Sequence, residues 1–353
     1  MFLRSQTVRY RKSTKRFGWR GALAVLCLCL VPVLHASAKS VSLRIYFIDV
    51  EGGQATLIVG PSGQSLLMDA GRPGGRDTDR IVAVAKLAGI TQIDYLVVTH
   101  YHENHVGGVP ELAQSMRVGM FVDHGPDVED SPTAKGLYAA YQKAISHADH
   151  VLAKPGEGLP LKDVSVEFVA SAGAHIADPL PGAGEANPYC WSEAEPAVDL
   201  TENAQSVGLL VTYGRFRFLD LGDLTEKKEL ELVCPNNRLG TVDFYLATHH
   251  GAAPDNPKSL VWALRPRVAV INNGAKQGGS SAAWQIVHDS PGMEDVWQLH
   301  YAADAGKAHN VADQFIANVD EKSDGHFLEV TASMDGKCQV TNSRNGYRKK
   351  YGK

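Results

Sequence analysis

Short apolar runs bounded by turn residues alternate with segments of helical period along most of this chain. Leu43 to Val50 and Ala55 to Val59 are brief, mainly apolar runs joined across Gly52-Gly53. Pro61-Ser62-Gly63-Gln64 marks a turn before Ser65 to Met68, so three short strands are expected in succession. The period then changes: within Asp77 to Ala88, Ile81, Val82, Val84, Ala85 and Leu87 recur at helical spacing. Ile93 to Val98 reads as a buried strand, Val106 to Ser115 as a helix, Val118 to Val122 as a strand and Thr133 to His147 as a helix.

The second half repeats the theme. Ser206 to Tyr213 and Arg215 to Leu221 form a hairpin around Tyr213-Gly214, followed by a helix over Thr225 to Leu232 and a strand over Asp243 to Thr248. Ser259 to Leu264, Arg267 to Asn272, Ala282 to His288 and Val296 to Tyr301 continue as helix, strand, helix, strand. Between the halves, residues 171–203 are dense in Gly, Ala and Pro and lose any hydrophobic period. That stretch predicts a long irregular insertion placed to form one wall of a pocket. Alternating strands and helices imply sheets covered by helices. Pattern alone is also met by an ordinary doubly wound sheet. Residues 39–340 are expected to form one domain, and 341–353 a polar basic tail.

The first 38 residues stand apart. Arg4, Arg9, Arg11, Lys12, Lys15, Arg16 and Arg20 make a basic start without an acidic residue, Gly21 to Leu34 is apolar, and Ala36-Ser37-Ala38 is a small-x-small cleavage site. This is the pattern of a secretory signal peptide, and the apolar run is short for a bilayer span. The expected location is secreted or periplasmic, with no membrane attachment after cleavage. Without those seven basic residues the chain holds 28 Lys and Arg against 39 Asp and Glu, a formal charge of −11. Such a surface repels polyanions at long range, so general nucleic-acid binding is not expected. Three cysteines remain, Cys190, Cys234 and Cys338. In an oxidising compartment they make one pair and one leftover. Cys190–Cys234 is favoured because both lie in loops beside the candidate site segments, although connectivity is open at this level.

The candidate chemistry is concentrated in Val97-Val98-Thr99-His100-Tyr101-His102-Glu103-Asn104-His105-Val106-Gly107-Gly108. Three histidines within six residues follow an apolar strand and precede two glycines and a helix. A strand ending in such a loop aims several imidazoles at one point, and imidazole is the commonest protein ligand for divalent transition metals. His100 and His102, two apart in an extended segment, share a side. Downstream, Leu219-Asp220-Leu221-Gly222-Asp223 places Asp223 at a strand end, and Ala247-Thr248-His249-His250-Gly251 ends another. An Asp that only caps the next helix accounts for Asp223 less well. Lys276 to Ser281 leads into a helix whose amides suit an anion, although a plain Gly-Ser cap explains that stretch equally well.

These residues resemble the His-x-His-x-Asp-His signature of the metallo-β-lactamase-fold hydrolases. The likeness runs over roughly residues 43 to 275, including Ile48-Asp49-Val50-Glu51-Gly52-Gly53-Gln54 and Leu67-Met68-Asp69-Ala70-Gly71. Its flavour is that of the branch containing the soluble domain of the ComEC DNA-uptake proteins. The resemblance implies a four-layer αββα sandwich and one or two metals, zinc by ligand type with manganese or iron acceptable. It implies His100, His102, His105, Asp223 and His250 as ligands. Asp69 would support the histidine loop, and His249 would orient its neighbour. The implied activity is hydrolysis by a metal-activated water, with a phosphoester favoured and a β-lactam or lactone as the alternative.

Two positions depart from the pattern. Asn104 stands where an Asp is expected, preceded by Glu103; an amide is a poorer ligand and no base. The histidine expected between the halves is also missing, and Thr201-Glu202-Asn203-Ala204-Gln205-Ser206 occupies its place. Glu202, Asn203 and His124 are the candidates to replace it. The departures also permit a non-catalytic binding protein on the same fold, or an enzyme with one metal.

Overall fold

Period-two alternation sorts the strand side chains into two environments, and this sorting builds the layers. The computed structural model describes residues 42–190 and 199–352. The leader expected over residues 1–38 lies outside them. In strand Leu43–Phe47, Leu43, Ile45 and Phe47 face the interior between two sheets, while Tyr46 faces a helix layer. Thr56–Val59 divides likewise, Ile58 inward and Leu57 and Val59 outward.

The first sheet runs Arg348–Tyr351, Cys338–Asn342, Leu328–Ala332, Leu43–Phe47, Thr56–Val59, Ser65–Met68, Gln92–Val97, Arg117–Asp123 and Asp149–Leu152. The second runs Ile316–Asn318, Asp295–His300, Val268–Ile271, Phe244–Leu246, Phe216–Asp220, Gly208–Tyr213, Ser165–Ser171 and Gly158–Leu159, with Ala174–His175 paired to Ser165–Ser171. Phe47 stacks on Phe244 and meets Phe218 edge-on, so side chains from both sheets fill the space between them. Helices Arg76–Leu87, Val109–Ser115 and Pro132–Ile145 cover the first sheet; Glu226–Val233, Lys258–Leu264 and Ser281–His288 cover the second. The order helix, sheet, sheet, helix is the αββα sandwich.

Strand direction places the site. Ser65–Met68, Gln92–Val97 and Arg117–Asp123 are parallel neighbours, so their carboxyl ends share one edge. The parallel run from Phe216–Asp220 to Ile316–Asn318 brings a second set of ends together in the other sheet. Loops leaving these ends carry Asp69, His100, His124, Asp223, His249 and His250.

The structure differs from the sequence reading at several elements. The expected helix over Val106 to Ser115 is two helices, Glu103–Val106 and Val109–Ser115, separated at Gly107-Gly108. A Cβ on Gly108 would sit 2.1 Å from the Ala70 carbonyl oxygen, and one on Gly107 2.4 Å from that of Glu103. Glycine lets the Asp69–Gly71 turn press against the histidine loop, where Ala70 N–H donates to the His105 carbonyl (2.8 Å) and Gly108 N–H to that of Gly71 (3.0 Å). The expected strand over Asp243 to Thr248 shortens to Phe244–Leu246 because Thr248–Gly251 coils into a tight turn. Within residues 171–203 the described parts are mostly irregular, apart from Ala174–His175. The disulfide joins Cys190 and Cys234, and Cys338 is buried in its strand.

The described residues 341–352 are not a tail. Arg348–Tyr351 pairs antiparallel with Cys338–Asn342 as an edge strand of the first sheet. Its run of Arg348, Lys349 and Lys350 hides the pattern, since edge strands commonly carry exposed cations. Tyr351 is 1% exposed and its hydroxyl accepts from Trp297 Nε1 at 2.9 Å. Tyr351→Ala is therefore expected to cost about 3 kcal/mol in urea unfolding, whereas a solvated tail would cost nothing.

Candidate metal centre

Asp69 holds the histidine loop in place. It is fully buried and accepts from Thr99 N–H (2.7 Å), Thr99 Oγ1 (2.7 Å) and His105 Nδ1 (2.7 Å). His100 Nδ1 lies 3.1 Å from Thr99 Oγ1. With both Nδ1 atoms taken, the Nε2 atoms of His100 and His105 turn to Asp223 Oδ2, at 3.8 and 3.2 Å. His100, His105 and Asp223 form a buried cluster in which one donor atom from each lies within 4.8 Å of the others. Among the described residues His100 Nε2 and Asp223 Oδ1 make no hydrogen bond, so each buried atom has capacity left for a ligand. Two imidazoles and a carboxylate in this state fit a divalent metal.

The electrostatics agree. Burial pulls His105 down, but Asp223 and Asp69 outweigh it and push the imidazole up to about 10. The His105 ring thus stands between two carboxylates, with Nδ1 toward Asp69 and Nε2 toward Asp223. Burial would raise Asp223, yet His105 and His250 hold it well below the carboxylate range. Burial, then His105, drives His100 well below the usual histidine value. Burial likewise lowers His250.

His250 adjoins the cluster rather than entering it. Its Nε2 is 3.4 Å from Asp223 Oδ1, 3.2 Å from His105 Nε2 and 3.0 Å from Asn104 Nδ2. His249 comes from the same turn, with Nε2 3.5 Å from Asp223 Oδ2 and Nδ1 2.6 Å from Asp255 Oδ2. Burial opposes protonation of His249, but Asp255 raises its pKa. Both histidines have left-handed backbones, φ 52° and 55°, as does Asp69 at 60°. Such residues store roughly 1–3 kcal/mol of strain each and concentrate at functional sites.

The remaining candidates are placed elsewhere. The His102 ring packs 4.6 Å from that of His100, on the shared side, but its Nε2 is held by Glu129 at 3.2 Å. Glu103 points outward to Arg72, 2.9 Å away, because the short helix turns it from its neighbours. Asn104 Nδ2 donates to the Gly52 carbonyl (3.1 Å), which aims its amide nitrogen at His250. Glu202 accepts from Tyr101 N–H (2.9 Å) and Val128 N–H (3.2 Å) and meets His124 Nε2 at 2.8 Å. Glu202 and His124 therefore occupy one another, and neither belongs to the cluster. Asn203 opens the short turn Asn203–Gln205. Ser280 accepts from Ala283 N–H, so the helix after Lys276 is plainly capped.

Sequence reasoning passed over Gln54, Glu129 and Asp255. Gln54 Nε2 lies 3.1 Å from both carboxylate oxygens of Asp220. Single polar residues far apart in the chain carry no spacing signal; only the fold brings them to the histidines.

Residues 48–189 match the family model for the metallo-beta-lactamase superfamily. The chain is 25% identical to ComE operon protein 3 of Bacillus subtilis (strain 168) over 188 residues, 53% of this chain and 20% of that protein. It is 23% identical to Recombination protein 2 of Haemophilus influenzae over 258 residues, 72% of this chain and 27% of that protein. These matches span only about a fifth to a quarter of the relatives' length. Among solved structures, the metallo-beta-lactamase fold protein YhfI from Bacillus subtilis is similar at a TM-score of 0.44 and 11% identity, covering 73% of this chain and 96% of that one.

Asp220 makes the buried charge measurable. Burial, with Asp69 adding to it and the Gly222 amide opposing, pushes its carboxyl up to about 7 from 3.8. The folded chain then binds this proton more tightly than the unfolded chain, so Asp220 costs stability progressively as pH rises from about 4 to 7. In protein stripped with EDTA, the melting temperature of the wild type is expected to fall relative to Asp220→Asn over that range. Parallel melting curves would refute the assignment.

Proposed function

The chain carries a metallo-β-lactamase superfamily domain, and from that premise we propose that it is an exported, metal-dependent hydrolase acting on a phosphoester. The observation that carries the reading is the buried cluster of His100, His105 and Asp223 at the meeting of strand ends from both sheets. The signal-like first 38 residues and the Cys190–Cys234 disulfide support export into an oxidising compartment. No described helix is long and apolar enough to cross a membrane. The phosphoester preference rests on the likeness to the ComEC-like branch, with a β-lactam or lactone as the alternative substrate.

His100, His105 and Asp223 would hold the metal, with His250 beside them. When bound, a divalent cation such as zinc, manganese or iron acidifies water and polarises the scissile oxygen. The protein's part is positional. Asp69 fixes Thr99 and His105, Glu202 fixes the Tyr101 backbone between His100 and His102, and Asp255 fixes His249. His249 is partly exposed, with Nδ1 on Asp255 and Nε2 3.5 Å from Asp223 Oδ2, and in this reading it would hold a proton or pass it to a leaving group. Asn104 cannot serve as a base. The expected partner is a small molecule rather than bulk nucleic acid.

A second reading, a non-catalytic binding protein, is favoured by one contact: the Asn104 amide nitrogen facing His250 Nε2 at 3.0 Å. One experiment addresses both. Metal content of the purified full chain is measured together with hydrolysis of bis-p-nitrophenyl phosphate. At least one metal per chain with turnover is expected, and Asp223→Ala should lower both, turnover by at least about 100-fold. Absence of bound metal overturns the hydrolase proposal. Metal without turnover on diester, lactam or lactone, with turnover gained in Asn104→Asp, establishes the second reading.

A further inference from the structure

We infer that Asn203 supplies, through its side-chain oxygen, the metal ligand on the His100 side of the centre that no histidine provides. The inference rests on the metal-centre reading above and assigns one more residue to it. The turn Asn203–Gln205 leads directly into Ser206 and Val207, and Val207 N–H donates to the Thr99 carbonyl at 2.9 Å. This turn is therefore stitched to the residue before His100. Three side chains from this region were candidates for the vacant role. The Glu202 carboxylate already serves Tyr101 N–H, Val128 N–H and His124. His124 has its Nε2 on Glu202 and its ring packed 4.6 Å from that of Tyr101.

Asn203 is in the opposite condition. Its Oδ1 is buried and makes no hydrogen bond among the described residues. His100 Nε2, on the segment to which the turn is joined, is buried and unbonded as well. An amide oxygen is a strong acceptor, and native structures seldom bury one without a partner. Asn203 Oδ1, His100 Nε2 and Asp223 Oδ1 are thus three buried acceptors with capacity for a ligand, the first two on segments joined through Val207 and Thr99. A neutral oxygen ligand also suits a site already crowded with Asp69, Asp220 and Asp223, where another carboxylate would add to the burial cost of negative charge.

The test is zinc affinity, measured on the full chain by competition with a chromophoric chelator, for wild type, Asn203→Leu, Asn203→Asp and His100→Ala. Asn203→Leu keeps the shape and removes the oxygen; it is expected to weaken zinc binding by about tenfold or more. Asn203→Asp keeps an oxygen and adds charge; it is expected to bind zinc more tightly than wild type and to alter the visible spectrum of the cobalt-substituted protein. His100→Ala marks the loss expected of a ligand. Wild-type affinity in Asn203→Leu, with zinc lost in His100→Ala, overturns the role of Asn203 and leaves the metal centre standing. If Asn203→Leu fails to fold, an Asn203→Asp protein with unchanged affinity and spectrum overturns it instead. A wild type that binds no zinc, manganese or iron fails the metal-centre reading itself.

Discussion

Negative charge buried where the two sheets' strand ends meet is the constraint on which this structure depends. Asp69, Asp220 and Asp223 are each at most 2% exposed. Without a counter-charge such a group is untenable, because desolvating a carboxylate costs several kcal/mol even after relaxation. The chain answers in two ways: burial pushes the Asp220 carboxyl upward, and His105 lies between the other two, with Nδ1 toward Asp69 and Nε2 toward Asp223, which raise its pKa. Thr99, Gln54 and the surrounding amides spread the rest through hydrogen bonds.

The backbone at the site is unusual as well. Left-handed conformations at Asp69, His249 and His250 set side chains where regular strand ends would not. Strain of this kind persists only when the surroundings fix it. The glycines at 107, 108 and 278 allow the neighbouring chain to approach closely enough to do so: a Cβ on Gly278 would fall 2.3 Å from the His250 carbonyl oxygen.

Much of this was legible in the sequence. Period-two runs and helical segments gave the alternation of strands and helices, the resemblance gave the order of layers, and the strand ends at His100, Asp223 and His249-His250 do meet at one edge. The pairing of Cys190 with Cys234 also matches the expectation. What stayed hidden was set by contacts between distant segments. Glu202 and His124 each looked like a spare ligand until the fold placed them 2.8 Å apart. Asn104 was read as a weakened ligand, but the Gly52 carbonyl decides which end of its amide faces His250. The last strand was missed because its polarity belongs to a sheet edge, and only Tyr351 betrays its buried face.

Cys190 and Glu202 also fix two points of the insertion, the first bonded to the end of helix Glu226–Val233 and the second clasping the histidine loop. Reduction of the Cys190–Cys234 bond would therefore release one of these anchors while leaving the Glu202 hydrogen bond to the histidine loop in place.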